Sequence, residues 1–245
     1  MDPETVKDYY RAPDVVEHYA LAVNRVGLWQ SEEKIFQRVF QPDQSILELG
    51  CGAGRIAIGL WELGFQRVLG TDFAREMVEE ARRIARVLEY GIPFQREDAT
   101  ALSFGDETFD GAIFGFNGLM QIPGRANRQR ALREIHRVLC PASWLVFTTH
   151  DRDSHGGRAF WREQHDLWRG GPPEAGLQEF GDVAVEAPNG KLHFIHSPSI
   201  EEVTEDLAQA NLRLETHVLR EQIANEPPEV RDFADDCRFW VAQKP

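Results

Sequence analysis

Three carboxylates and one glycine-rich turn carry the readable chemistry of this 245-residue chain. Glu48-Leu-Gly50-Cys51-Gly52-Ala-Gly54 lies between an apolar run that reads as a strand and an amphipathic run that reads as a helix. Glycines there permit a tight turn and let a ligand approach the backbone, while the helix start offers unpaired N–H groups. A dinucleotide turn of the G-x-G-x-x-G type needs its third glycine at position 55, where Arg55 stands. The spacing is G-x-G-x-G instead, with an acid two residues ahead of the first glycine. Pyrophosphate repels a neighbouring carboxylate and an ammonium group attracts it. The turn therefore suits a ligand that joins a nucleoside to a cationic amino acid. Asp72 ends the second strand, where an acid can accept both ribose hydroxyls. Asp98, in Glu97-Asp98-Ala99-Thr100 after the third strand, can accept from the exocyclic amine of an adenine. Three acids at the ends of three successive strands are a stronger signal than the glycines alone.

The elements that must position these acids follow from periodicity. From Ser45 to His150 short apolar runs alternate with amphipathic helices, the pattern of a parallel α/β sheet. Strands are expected at Ser45–Leu49, Arg67–Thr71, Phe94–Arg96, Phe109–Phe114 and Trp144–Thr149. Between them, helices run from Arg55 to about Leu63, around Met77–Leu88, and from about Ala126 to Leu139. Met77, Val78, Ala81, Ile84, Ala85 and Leu88 recur at three- and four-residue spacing, so one face packs on the sheet. Right-handed crossovers then put the ligand crevice at the carboxyl ends of the strands. Ahead of the sheet, Val15–Val23 and Glu32–Phe40 read as two helices, placed as a lid over the crevice (1–40).

After His150 the pattern changes. Residues 151–180, with Gly156-Gly157, Gly170-Gly171 and Pro172-Pro173, read as an irregular or short-helical insertion. Asp182–Ala187 and Lys191–His196 alternate around Asn189-Gly190, which signals a β-hairpin. Ser199 and Glu202 have capping-box spacing for a helix to about Ala210. Leu212–His217 and Arg238–Gln243 look like two last strands, joined by the polar, Pro-rich stretch 221–236.

Composition limits the partners. The net charge is −13, with 42% hydrophobic residues, which excludes a disordered chain. The acidity gathers late: residues 151–245 hold 19 acids against 10 bases, and 1–150 hold 21 against 17. No concentrated Lys/Arg patch offers a surface for nucleic acid or an anionic membrane. Cys51, Cys140 and Cys237 are odd in number and far apart, which fits neither a disulfide framework nor a zinc site. The start of the chain lacks the features of a signal peptide, and no apolar run spans a bilayer. A cytoplasmic protein, monomer or homodimer, without a metal is the expectation.

Ile46-Leu-Glu-Leu-Gly-Cys-Gly-Ala-Gly54, Gly70-Thr-Asp72, Glu97-Asp-Ala99, Phe109-Asp-Gly-Ala-Ile113 and Leu132-x-x-Ile-x-Arg-Val-Leu139 resemble, in residues and in order, the class I S-adenosylmethionine-dependent methyltransferases. The resemblance covers roughly residues 45–150. It implies a doubly wound, mostly parallel seven-stranded Rossmann-like sheet with its last strand reversed, which suits the two late strands. The whole chain is then one domain: lid 1–40, donor-binding core 45–150, insertion and hairpin 151–198, last helix and strands 199–245. The resemblance also implies roles. Glu48 and the Gly50–Gly54 backbone, Cys51 and Gly52 included, would hold the methionine part of S-adenosylmethionine and Asp72 its ribose. Asp98 with Ala99 would hold the adenine, flanked by Phe73 and Met77. Phe116-Asn117-Gly118 would face the sulfonium. Methyltransferases of adenine bases and of some protein amides carry an Asn- or Asp-Pro-Pro-aromatic motif at this last place. Asn117-Gly-Leu-Met120 departs from it, which points to a small-molecule acceptor.

Methyl transfer from a sulfonium mainly requires positioning, with a base added for a hydroxyl or amine acceptor. The base candidates are His150, at the end of the fifth strand, then Tyr10, with Tyr9, His18 and Tyr19 also in the lid. Structural readings stand beside these: Cys51 as a small packing residue, Asn117 as a turn former, Tyr9-Tyr10 and Trp29 as packing. His193 and His196, three apart on a strand, fall on opposite faces and make poor metal ligands. Phe160, Trp161, His165 and Trp168 put aromatic mass into the insertion, as packing, an acceptor pocket or a subunit contact. Acceptor selection is assigned to the lid and the 151–198 insertion. Two further functions share the donor features: a non-catalytic S-adenosylmethionine-binding module, and a dinucleotide-dependent oxidoreductase whose turn would have to accept pyrophosphate despite Glu48.

Overall fold

The computed structural model describes residues 1–154, 157–172 and 176–245. Three helices come first: α1 (Pro3–Tyr10), α2 (Pro13–Arg25) and α3 (Gln30–Val39). Prolines begin α1 and α2, where the missing N–H would have had no helical partner and the fixed φ suits the first turn. Apolar periodicity does not reveal α1, because its eight residues bury only Val6 and Tyr10. Its local signal is the Asp2 cap, whose carboxylate accepts from the Glu4 N–H.

The alternating core follows as β1 (Ile46–Leu49), α4 (Arg55–Glu62), β2 (Val68–Asp72), α5 (Arg75–Val87), β3 (Phe94–Arg96) and β4 (Phe109–Phe114). A 3-10 turn (Gly118–Gln121) leads into α6 (Arg125–Val138) and β5 (Leu139–Thr149). The second part contains α7 (Arg158–Trp168), β6 (Asp182–Glu186), β7 (Leu192–His196), α8 (Ile200–Gln209) and β8 (Arg213–Leu219). The short helices α9 (Arg220–Ile223) and α10 (Pro228–Phe233) then precede β9 (Arg238–Gln243). Gly156 and Pro173, read in the sequence as marks of irregular chain, lie outside the described residues.

Seven strands form one sheet in the order β3-β2-β1-β4-β5-β9-β8. All pairs are parallel except those made by β9, which runs antiparallel between β5 and β8. The last strand in sequence is thus the reversed one, as the resemblance implies. All four residues of β1 are buried, because helices cover both faces. Ile113, Val146 and Val241 point to one face and pack with α4 and α5. Leu145, Phe147 and Trp240 point to the other, against Leu132 and Ile135 of α6 and Leu207 of α8. Strand order reverses between β1 and β4, so their carboxyl ends open the crevice.

The hairpin expectation is met and one lid expectation changes. The hairpin β6–β7 forms at its Asn189-Gly190 turn, as a separate two-stranded sheet laid on the lid, where Phe194 packs with Val6 and Tyr10. Helix α3 does not cover the crevice. Its Phe36, with Phe40 just past its end, joins the sheet core, and Phe40 presses on Gly111 of β4. The apolar positions of α3 are large enough to demand full burial, which a solvent-facing lid does not offer. The covering elements are α1 and α2.

Candidate functional site

A cleft of about 360 Å³ runs over the carboxyl ends of β1, β2 and β4. Its wall gathers Glu48, Gly50, Cys51, Gly52, Asp72, Phe73, Met77, Asp98, Ala99 and Phe116 from those expected for the donor, and Tyr10 from the candidate bases. Three expected residues are elsewhere. Gly54 ends the turn as the residue before α4, with φ +93, and faces the ring of Phe94 and the methyl of Ala81. A side chain there would be strained and would press on β3 and α5, so Gly54 shapes the turn from behind. Asn117 and His150 form a pair beside the wall, with the Asn117 carboxamide 3.3 Å from His150 Nε2.

The Gly50–Gly52 turn is held by the acid that ends β2. The N–H of Gly52 donates to Asp72 Oδ2 at 2.9 Å and the N–H of Ala74 to Oδ1 at 2.8 Å. Burial raises the Asp72 carboxyl to about 6, and these backbone N–H groups oppose the rise. Gly52 has φ +53, and the ring of Tyr19 from α2 lies over it.

Glu48 is 1% exposed on β1, and its Oε2 has no hydrogen-bond partner. Burial pushes this carboxyl well above its ordinary range, and the nearby Arg55 guanidinium pulls it back. Arg55 is itself clamped to Glu32 by two hydrogen bonds of 2.6 and 2.7 Å. A buried carboxylate oxygen with no donor is costly unless a ligand cation completes it. The ammonium and ribose of S-adenosylmethionine fit this wall: one orphaned acid at the glycine turn, and a second acid at the end of β2.

Asp98 is exposed at the rim. Its Oδ1 accepts from the N–H and hydroxyl of Thr100, an Asx turn that leaves the other oxygen outward. Its neighbour Glu97 also reaches the wall, yet its carboxylate is engaged by Ser103 and Gln95 and holds the loop. Phe116 and Asn117 both adopt left-handed backbone, φ +47 and +60. For a phenylalanine this is rare, and such strain gathers at binding sites. The Asn117 N–H is tied to Thr148 Oγ1 at 2.9 Å, which fixes the bend.

The candidate bases separate. Burial lowers the His150 imidazole, so the ring is neutral near pH 7 and able to take a proton. Burial drives the Tyr10 phenol well above 10, and Tyr19 likewise. Both phenols are therefore hydrogen-bond donors at neutral pH, which corrects the place of Tyr10 among the bases. Burial also raises the Cys51 thiol, with Glu48 and Asp72 adding to the effect, so it is no thiolate nucleophile. Tyr9 stacks on His193 and lies off the wall.

Sequence reasoning missed Phe233, on α10, and gave Tyr19 the wrong task. Phe233 lines the cleft and stacks between Phe116 and His18, with centroid distances of 5.2 Å on both sides. Its only sequence signal was an aromatic within a polar stretch. The insertion, by contrast, contributes no wall residue among those described. Trp161, His165 and Trp168 are edge-on to Phe180, which is packing.

His196 faces away from His193, as the strand period requires, into a buried ionic cluster. Its two nitrogens lie 2.8 Å from Asp182 and Glu202. Glu179, Asp182 and His196 present ligand atoms within 4.8 Å of one another. Arg128 already pairs with Glu179, Arg152 with Glu202, and backbone N–H groups with Asp182, so each of these carboxylates already has a partner within the chain.

Residues 46–142 match the family of the methyltransferase domain. A demethylmenaquinone methyltransferase of Symbiobacterium thermophilum is 32% identical over 157 residues, 59% of this chain and 60% of that one. An O-methyltransferase of Aspergillus sclerotiorum is 31% identical over 46% of this chain and 42% of its own. The chain thus spans about half the length of such curated relatives. A solved S-adenosylmethionine-dependent methyltransferase of Methanosarcina mazei superposes with a TM-score of 0.70 at 25% identity, covering 86% of this chain and 96% of that one. No helix among the described residues is long and apolar enough to cross a membrane. Sheet order, glycine turn and strand-end acids agree with these matches, and together they support the class I S-adenosylmethionine-dependent methyltransferase superfamily for this chain.

Proposed function

We propose that this chain transfers a methyl group from S-adenosylmethionine to a small-molecule acceptor. The observation that carries the reading is the orphaned Glu48 oxygen beside the Gly50–Gly52 turn, with Asp72 across the same cleft. In this reading Glu48 takes the ammonium, and Gly50, Cys51 and Gly52 lie along the methionine chain. Asp72 takes the ribose hydroxyls, Asp98 and Ala99 the adenine edge, and Phe73 and Met77 its faces. Phe116 and Asn117 stand at the sulfonium, and Gly54 supports the turn. Tyr10 and Tyr19, phenols in the donor form, close the cleft from the lid.

When bound, the sulfonium supplies an already activated methyl group, so the chain's own work is alignment and, for an O–H or N–H acceptor, removal of a proton. In this reading His150, which stands beside the cleft wall next to Asn117, takes that proton. Its neutral ring has Asn117 at Nε2, and Asp235 and Asp236 nearby favour the imidazolium that would form. A small acceptor accords with the demethylmenaquinone methyltransferase and O-methyltransferase relatives, and with a net charge of −13 that disfavours nucleic acid. Three thiols without a disulfide suit the reducing cytoplasm.

Calorimetric titration with S-adenosylmethionine and with S-adenosylhomocysteine tests the donor. Binding of both is expected, with Asp72→Ala weakening it by about a hundredfold through loss of two charge-assisted hydrogen bonds. No heat with either ligand at millimolar concentration would sink the reading. Transfer of a labelled methyl to any acceptor separates an enzyme from a mere binding module.

A further inference from the structure

The cleft is small for its task. About 360 Å³ is the space of one drug-sized ligand, at the low end of the range for binding pockets, and methyl transfer needs two reactants side by side. The cleft opens to solvent, and the second reactant must be received against one of its walls. On the side of Phe116 the wall is a three-ring stack: His18 of α2, Phe233 of α10 and Phe116, with interplanar angles of 17° and 23°. Of the two outer rings Phe116 is held by its surroundings, and His18 is exposed. Phe116 sits on strained backbone beside the tied Asn117 and is met edge-on by Tyr19 and Trp29. His18 lies in the middle of the thirteen-residue α2. The central ring is carried by a helix of six residues in the 220–237 strap between β8 and β9. The strap backbone is fastened along its length, with Lys34 donating to the Ile223 carbonyl and Val230 buried in the core, so any movement here is a turn of the half-buried Phe233 side chain. Glu226 accepts from the N–H groups of Gln30 and Ser31, and Arg220 reaches the carbonyl of Ala234.

Resting on the donor reading above, we propose that Phe233 is a plug that determines the acceptor: a planar, conjugated ring displaces it and takes its place between His18 and Phe116. The exchange conserves the stack. A flat ring regains both face contacts that Phe233 gives up, whereas a saturated ring of the same size is too thick to regain them. The same movement brings the acceptor next to Phe116 and Asn117, and so towards His150, which the strap residues Asp235 and Asp236 adjoin. Acceptor selection thus belongs to the strap rather than to the 151–198 insertion.

The test uses 2-naphthol and its saturated counterpart decahydro-2-naphthol as probes, titrated into the protein with and without saturating S-adenosylhomocysteine. Phe233→Ala empties the plug's place, and an apolar void lined by rings accepts an aromatic guest. Its affinity for 2-naphthol should rise five- to fiftyfold over the wild type, while the saturated probe gains less than twofold. Phe233→Trp, a larger plug, should lower 2-naphthol affinity at least fivefold. S-adenosylhomocysteine affinity should stay within threefold in both variants, which also shows that they fold. Weaker or unchanged 2-naphthol binding by Phe233→Ala would overturn the proposal, because a fixed wall loses a contact and a remote residue loses nothing. Equal gains for both probes, or no 2-naphthol binding to any form, would overturn it as well. Failure of the donor reading is separate: it appears as no S-adenosylhomocysteine binding by the wild type, and the probe comparison without that ligand still decides the plug.

Discussion

Glu48 and Asp72 are both buried acids whose charge the folded chain only partly compensates, and their pKa values record it. Burial pushes both upward, Asp72 to about 6. The ionised form of Asp72 is the one that accepts two ribose hydroxyls. Affinity for S-adenosylhomocysteine should therefore be full above about pH 7 and fall as pH drops through 6, by at most about tenfold per unit. Calorimetry from pH 7.5 to 5 checks this, and a flat profile would remove Asp72 from the ribose. Glu48→Gln removes the charge that an ammonium needs. S-adenosylmethionine affinity should fall ten- to a hundredfold, while the ligand-free protein melts at the same or a higher temperature because a desolvated charge is gone. Lower stability with unchanged affinity would mean that Glu48 serves the fold alone. These acids were legible in the sequence because a strand followed by a turn places its last residue in the crevice by local geometry alone. Phe233 and Tyr19 were not: the first comes from a strap 117 residues beyond Phe116 in sequence, the second from a helix 33 residues ahead of Gly52, so only tertiary packing brings them in.

At the scale of elements, the strap and the third helix stabilise each other across the chain. Glu226 accepts from Gln30 at 3.1 Å and Ser31 at 2.8 Å, capping α3 from 195 and 196 residues away. Trp29, just before α3, is held between the guanidinium of Arg55 at 4.8 Å and that of Arg220 at 5.0 Å. Glu226→Ala should cost about 1–3 kcal/mol, since two helix-end donors, that of Ser31 buried, lose their acceptor. Urea unfolding measures the loss, and amide exchange should quicken at residues 30 and 31 first; a loss below about 0.3 kcal/mol would show that water replaces the cap. Elements with many apolar positions or a strong local cap were readable: α5 by its buried stripe, α8 by Ser199 and Glu202, the hairpin by Asn189-Gly190. Helices α1 and α10 were not, because six or eight residues hold too few buried positions to show a period.

The whole molecule answers acid in two stages, since its two buried carboxylate clusters are shifted in opposite directions. Asp182 and Glu202 are raised by burial, but hydrogen bonds from His196 and, for Asp182, from backbone N–H groups outweigh it, so both end below the ordinary carboxylate range. Depressed carboxyls contribute stability that is present above their unfolded values, near 4, and lost only as pH falls through the lowered ones. Asp72, raised, changes first. Between pH 6 and 5 the protein should release S-adenosylhomocysteine while amides of 182–196 keep their exchange protection, which disappears below about pH 4. Hairpin opening at pH 6 would contradict this order and place a weaker bond at His196.

The residue types and spacing along 45–150 by themselves determined the strand–helix alternation, the crevice at the strand ends and the acids that face it. Each of these depends on contacts within about thirty residues, where local periodicity and turn geometry leave few alternatives. The tertiary structure alone decided that α3 enters the core, that α1 closes the lid and that the hairpin packs on α1. It also decided that an aromatic from the C-terminal strap occupies the far side of the cleft. Those placements depend on which surfaces meet when distant segments compete for the same apolar ground, and no spacing along the chain carries that information.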